Sequence, residues 1–126
     1  MARRVMSIGQ CSFDDGAISR SLSRHFDADL VRYADGEAAL EAIQAEPWDL
    51  VLVNRKLDRD GSDGMAVIRQ LKAETATAGE QAVPVMLVSN FAEAQQQAEA
   101  AGAVPGFGKS NLEEDLFRER LAPWLS

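Results

Sequence analysis

Asp49-Leu50-Val51-Leu52-Val53-Asn54 is the stretch on which the fold turns. Its four consecutive apolar residues, bounded by acid before and Asn54-Arg55-Lys56 after, read as a strand covered on both faces. Such a strand belongs at the centre of a parallel sheet flanked by helices.

Working outward, strand-length apolar runs alternate with segments of helical period, and five pairs result. Upstream, Val5-Met6-Ser7-Ile8 precedes a polar turn and then Ile18, Leu22 and Phe26, whose four-residue spacing describes one helical face. The more polar Leu30-Val31-Arg32-Tyr33 reads as an edge strand, followed by Asp35-Gly36 and a helix carrying Ala39, Leu40 and Ile43. Downstream, an Asp- and Gly-rich loop from Asn54 to Gly64 leads to a helix with Met65, Val67, Ile68 and Leu71, and Ala73 to Ala82 carry no strong pattern.

The fourth run, Val83 to Val88, ends at Ser89-Asn90, where Asn90 with Glu93 has the form of a capping box opening an Ala- and Gln-rich helix that Gly102 ends. The weak fifth run, Ala103 to Phe107, is followed by the same signature at Ser110 and Glu113. A last helix then carries Leu112, Leu116, Phe117 and Leu121 and is expected to close at Pro123. The expectation is one domain over residues 1–126 with no internal repeat.

The composition limits what such a domain does. Thirteen Lys+Arg against 20 Asp+Glu in 126 residues leave a net charge of −7, which argues against nucleic acid and anionic membranes as partners. One Cys and one His cannot build a zinc site. Behind the basic start, the apolar stretch runs only from Val5 to Ile8, too short for a signal-peptide core, and no segment approaches a membrane span. The expected location is the cytoplasm.

In open parallel sheets, sites lie beyond the carboxyl ends of the strands. That rule selects Gly9 to Ser12, Asn54 to Leu57, Ser89-Asn90, Lys109-Ser110 and the Asp35-Gly36 turn.

Several segments, in order and spacing, resemble the receiver domain of bacterial response regulators, the CheY-like family. They are Asp49 to Asn54 with Asp63-Gly64-Met65-Ala66-Val67-Ile68, Val85 to Ser89, Ala100-Ala101-Gly102-Ala103, Lys109, and Asp35-Gly36-Glu37-Ala38-Ala39-Leu40. The resemblance covers essentially the whole chain. It implies an α/β fold, a (β/α)5 flavodoxin-like three-layer sandwich with a parallel five-stranded sheet in the order 2-1-3-4-5.

In that family an aspartate ending the third strand is phosphorylated, two acids after the first strand help hold Mg²⁺, and a hydroxyl and a lysine contact the phosphoryl group. Carried over residue by residue, Ser89 fits the hydroxyl and Lys109 the lysine. The acceptor position is Asn54, whose neutral amide cannot form an acyl phosphate. The acid pair falls on Gln10-Cys11, or on Gly9-Gln10 in the neighbouring register, and neither supplies a carboxylate, so Mg²⁺ binding is expected to be weak or absent. Ser110 stands where the family usually has proline, and Gly106 where it has an aromatic switch residue.

The loop after Asn54 is about two residues longer than the family spacing and puts Arg55 and Lys56 beside the lost acceptor. An uncompensated buried lysine is costly. Asp58 or Asp60 is therefore expected to fold back onto Lys109 or Lys56. Asp14 and Asp15, ahead of a helix, read as caps. Cys11 reads as buried rather than reactive.

The resulting expectation is a pseudo-receiver, not an enzyme, that binds signalling proteins in two-component-type transduction. The resemblance places its partner or homodimer surface on the fourth helix, fifth strand and fifth helix, with Phe91, Phe107 and Trp124 as candidate anchors. Two alternatives stand beside it. One is a phosphorelay receiver with Asp58 or Asp60 as displaced acceptor. The other is a weak anion or nucleotide site at Gly108-Lys109-Ser110, where the sequence fits a permissive phosphate loop before a helix. Asp58 to Asp63 superficially matches a calcium loop, but its twelfth position is Arg69 rather than a bidentate Glu.

Overall fold

The computed structural model describes residues 3–58, 61–74 and 83–126. Strands β1 (Arg3–Ile8), β2 (Ala28–Tyr33), β3 (Leu50–Asn54), β4 (Val85–Val88) and β5 (Val104–Phe107) alternate with helices α1 (Ser12–His25), α2 (Gly36–Ala45), α3 (Gly64–Glu74), α4 (Ala92–Ala100) and α5 (Asp115–Leu125). All pairings are parallel and the order is β2-β1-β3-β4-β5, with Leu50 to Val53 in the middle strand and β2 at an edge. The expected fold class is the one observed.

Side-chain alternation divides the core into two layers. Met6, Ile8, Val51, Val53, Val85 and Leu87 face α2, α3 and α4. Val5, Leu50, Leu52, Met86 and Val88 face α1 and α5, where Ile18, Leu22, Phe117, Leu121 and Leu125 close the layer. The Phe107 and Phe117 rings meet edge to face at 4.9 Å, worth about 1 kcal/mol beyond their burial.

Four local expectations are corrected. Cys11, not Asp14 or Asp15, caps α1. Helix α4 is capped at Phe91 without a side-chain bond, because the Asn90 side-chain oxygen Oδ1 accepts instead from Ser110 N and Oγ at 3.1 and 3.0 Å. Ser110 sits in a three-residue 3-10 turn, Lys109–Asn111, and α5 starts only at Asp115. Pro123 does not end α5, which runs on to Leu125; burial of Leu121 and Leu125 outweighs the one hydrogen bond a proline removes. Gly102, at φ +105°, ends α4 as expected. Most of the unpatterned Ala73–Ala82 stretch lies outside the described residues.

Candidate functional site: a neutralised pocket at the strand ends

Asn54 is the last residue of β3, and its side-chain amide donates to the backbone oxygens of Gly9, at 3.1 Å, and Lys56, at 2.7 Å. A pair of carbonyl oxygens thus converges on an N–H₂ group. Gly9 turns the chain out of β1 at φ +77°, and a Cβ there would lie 2.5 Å from Leu57 Cγ. Leu57, 2% exposed, seals this turn, and Asp58 N donates to Gly9 O at 2.8 Å. The described part of the long loop therefore folds over the end of β1 through its backbone and one leucine.

Lys109 follows β5 and its ammonium sits 2.7 Å from Asp14 Oδ2. Asp14 also accepts a hydrogen bond from Cys11 Sγ at 3.2 Å. Burial pushes the Asp14 carboxyl up, but hydrogen bonds from Lys109 and Cys11 and the lysine charge outweigh it, leaving the group below its ordinary 3.8. Among the described residues the acid that compensates Lys109 is accordingly Asp14, on α1, rather than Asp58 of the loop. Among the described residues Asp58 makes no ion pair, although it lines a cavity of about 240 Å³ with Cys11, Asp14, Asn54, Lys56 and Lys109. Asp60 lies outside the described residues.

Gln10 stands apart. It is 5% exposed, and neither side-chain amide atom finds a partner among the described residues. It lines a different cavity, of about 320 Å³, with Arg32, Tyr33 and Asp58. Below it, buried Asp15 accepts from Ser7 Oγ and Arg32 Nε, both at 2.6 Å. This polar cluster was not foreseen, since nothing local in the sequence marks Arg32 as the partner of Asp15.

Ser89 Oγ accepts from Phe91 N at 3.1 Å, and Ser89 lines a cavity of about 280 Å³ with Asn54, Lys56, Asn90 and Lys109. The structure places Cys11, Asn54, Lys56, Ser89 and Lys109 around two adjoining cavities. The Gly108-Lys109-Ser110 segment is not built as a phosphate loop. Gly108 N donates to Asn111 Oδ1 and Ser110 N to Asn90 Oδ1, so these two amides are already used, and Lys109 is held by Asp14.

Of the three aromatic anchors, Phe107 is 1% exposed and belongs to the core, which removes it as a contact residue. Trp124 is half-buried against the α1–α5 layer. Phe91 is 60% exposed, with the Arg55 guanidinium over its ring at 5.1 Å.

As a setting for a hard divalent cation the pocket fits poorly. Asn54 turns N–H donors toward the carbonyls of Gly9 and Lys56, Cys11 offers a thiol, and Asp14 is already neutralised by an ammonium. Among the described residues, no three His, Cys, Asp or Glu side chains gather. No described helix is long and apolar enough to cross a membrane.

No protein-family model matches the sequence, and no curated protein does. Solved structures do. The Francisella response regulator 1452 receiver domain superposes with a TM-score of 0.74 at 15% identity, covering 97% of this chain and 96% of that one. The chemotaxis response regulator CheY4 of Vibrio cholerae gives 0.69 at 16% identity, over 92% and 97%. A Burkholderia pseudomallei response regulator, solved with a phosphorylated aspartic acid and a calcium ion, gives 0.65 at 18%, over 95% and 74%. At these identities the likeness is one of fold.

Proposed function

We propose that this chain is a pseudo-receiver: a receiver-fold domain that takes no phosphoryl group, holds no Mg²⁺, and acts in cytoplasmic two-component-type signalling by binding other proteins. The observation that carries this reading is the Asn54 amide, which donates to Gly9 O and Lys56 O where a receiver presents its nucleophilic carboxylate. The Lys109–Asp14 pair supports it, because the cation left over from phosphoryl recognition is satisfied within the protein. So does the acidic balance of −7, which disfavours nucleic acid. An aromatic at position 106 is excluded as a switch, since a Cβ there would lie 2.3 Å from Leu87 O.

Incubation with acetyl phosphate and Mg²⁺, followed by intact-mass measurement, tests it. The expected spectrum is unchanged; an added phosphoryl group overturns the reading, and its location on Asp58 or Asp60 would instead make the chain a receiver with a displaced acceptor. A homodimer across α4, β5 and α5 would keep Trp124 but not Phe107 as an anchor, and sedimentation equilibrium reads it directly.

A further inference from the structure

We propose that the groove between the start of α3 and the start of α4 takes a short acidic segment of a partner protein, with an apolar side chain of that segment seated on Phe91. This rests on the protein-binding reading above and moves the contact away from the α4-β5-α5 face.

The groove encloses about 700 Å³, with Met65 and Ala94 in its lining and Arg55, Lys56, Arg69 and Phe91 around it. Among the described residues Arg3, Arg4, Arg24, Arg32, Lys109 and Arg118 each reach a carboxylate, while Arg20, Lys72 and Arg120 are scattered cations that do not. Arg55, Lys56 and Arg69 reach none among the described residues, although all three face one cavity on a chain of net charge −7. Asp63 and Glu93 share the lining, so three cations face two carboxylates there and leave an excess of one positive charge. The local balance is thus basic on an acidic protein, which is the complement of a carboxylate-bearing partner.

Phe91 supplies the second half of the recognition. It is one of two large apolar side chains left exposed among the described residues, and Arg55 lies over its ring. An aromatic with an adjacent arginine is the composition of an interface hot spot. The cations and Phe91 are all solvent-exposed, so an occupant would remain partly open to water, unlike a small molecule in an enclosed pocket. A peptide segment fits that geometry.

The test uses a fluorescein-labelled synthetic peptide of aspartates and glutamates around a central leucine–phenylalanine pair. Two controls accompany it: one with lysines in place of the acids, the other with serines in place of the apolar pair. Fluorescence anisotropy should show binding of the first peptide alone, weakened by salt. Affinity should fall about tenfold or more in Arg55→Glu/Arg69→Glu and in Phe91→Ser, and stay unchanged in Trp124→Ala. Circular dichroism confirms that each variant folds.

Absence of binding, equal binding of the basic peptide, or loss in Trp124→Ala with Phe91→Ser unaffected overturns the proposal. So does displacement of amide resonances at Arg55 and Arg69 by ATP with none by the peptide, which would assign the groove to a small anion. A phosphoryl adduct in the acetyl phosphate experiment would overturn the proposed function while leaving the groove measurement to stand or fall separately.

Discussion

Lys109 Nζ lies 2.7 Å from Asp14 Oδ2, so the lysine after β5 is neutralised by the first turn of α1 in the cavity that Asn54 also lines. The pair is about three-quarters buried at the acid, whose side chain is 23% exposed, and somewhat less at the lysine, at 32%. Replacing Asp14 by Asn should cost about 1 kcal/mol in urea unfolding at neutral pH. The sign with pH follows from the lowered Asp14 carboxyl. Its contribution is complete above the unfolded value near 3.8 and is lost as pH falls through the lower folded value. Wild type and Asp14→Asn should therefore differ at neutral pH and converge as pH falls below 3.8 through the lower folded value.

Asn54→Asp returns a carboxylate to the end of β3, yet no phosphorylation is expected. The new oxygens would face Gly9 O and Lys56 O, which now receive N–H donors at 3.1 and 2.7 Å. Gly9 and Gln10 add no acid to share a cation, and Lys109 is engaged by Asp14. The variant should lose about 2 kcal/mol of stability and show an unchanged mass after acetyl phosphate and Mg²⁺. An adduct would show that one substitution suffices to confer the chemistry.

Gln10 presents the opposite case, a residue whose removal should help. Both of its side-chain amide atoms are buried without a partner among the described residues, a situation that costs more than an apolar side chain of similar size. Gln10→Leu should raise stability by about 1 kcal/mol, read as a higher urea midpoint at constant slope. A lower midpoint would mean that the amide has a bound partner in solution.

The fold was legible because its signals are periodic and local. Leu50 to Val53 had to lie in the sheet centre, and Ile18 with Leu22 had to face it; all are fully buried. The strand-end rule likewise located Asn54, Ser89 and Lys109 around shared cavities. What escaped the sequence was the choice of partner across distant turns. Asn90 looked like a helix cap, but Ser110 on the neighbouring loop supplies it with two donors. Asp14 looked like another cap, and its lysine lies at the far end of the chain. Leu57 reads as one apolar residue in a polar loop, and only the close approach of Gly9 shows why it is buried.

That approach also keeps side chains out of position 9. A Cβ at Gly9 meets Leu57 Cγ at 2.5 Å, and its φ of +77° is strained for any L side chain. Gly9→Asp, which would return a carboxylate in one of the two registers, should cost roughly 3 kcal/mol, a large share of the margin of a small domain. Two causes are mixed in that cost, and a cycle through Gly9→Ala and Leu57→Ala separates them. Leu57→Ala alone should cost about 2 kcal/mol or more for an emptied buried site. In the double variant the collision is gone but the backbone strain stays, so the combined loss should fall short of the sum by about 1 kcal/mol. Strict additivity would place the whole penalty at Gly9 in the backbone. A shortfall shows that the leucine and the missing Cβ are fitted to each other, so that a side chain could return at position 9 only with a different loop over it.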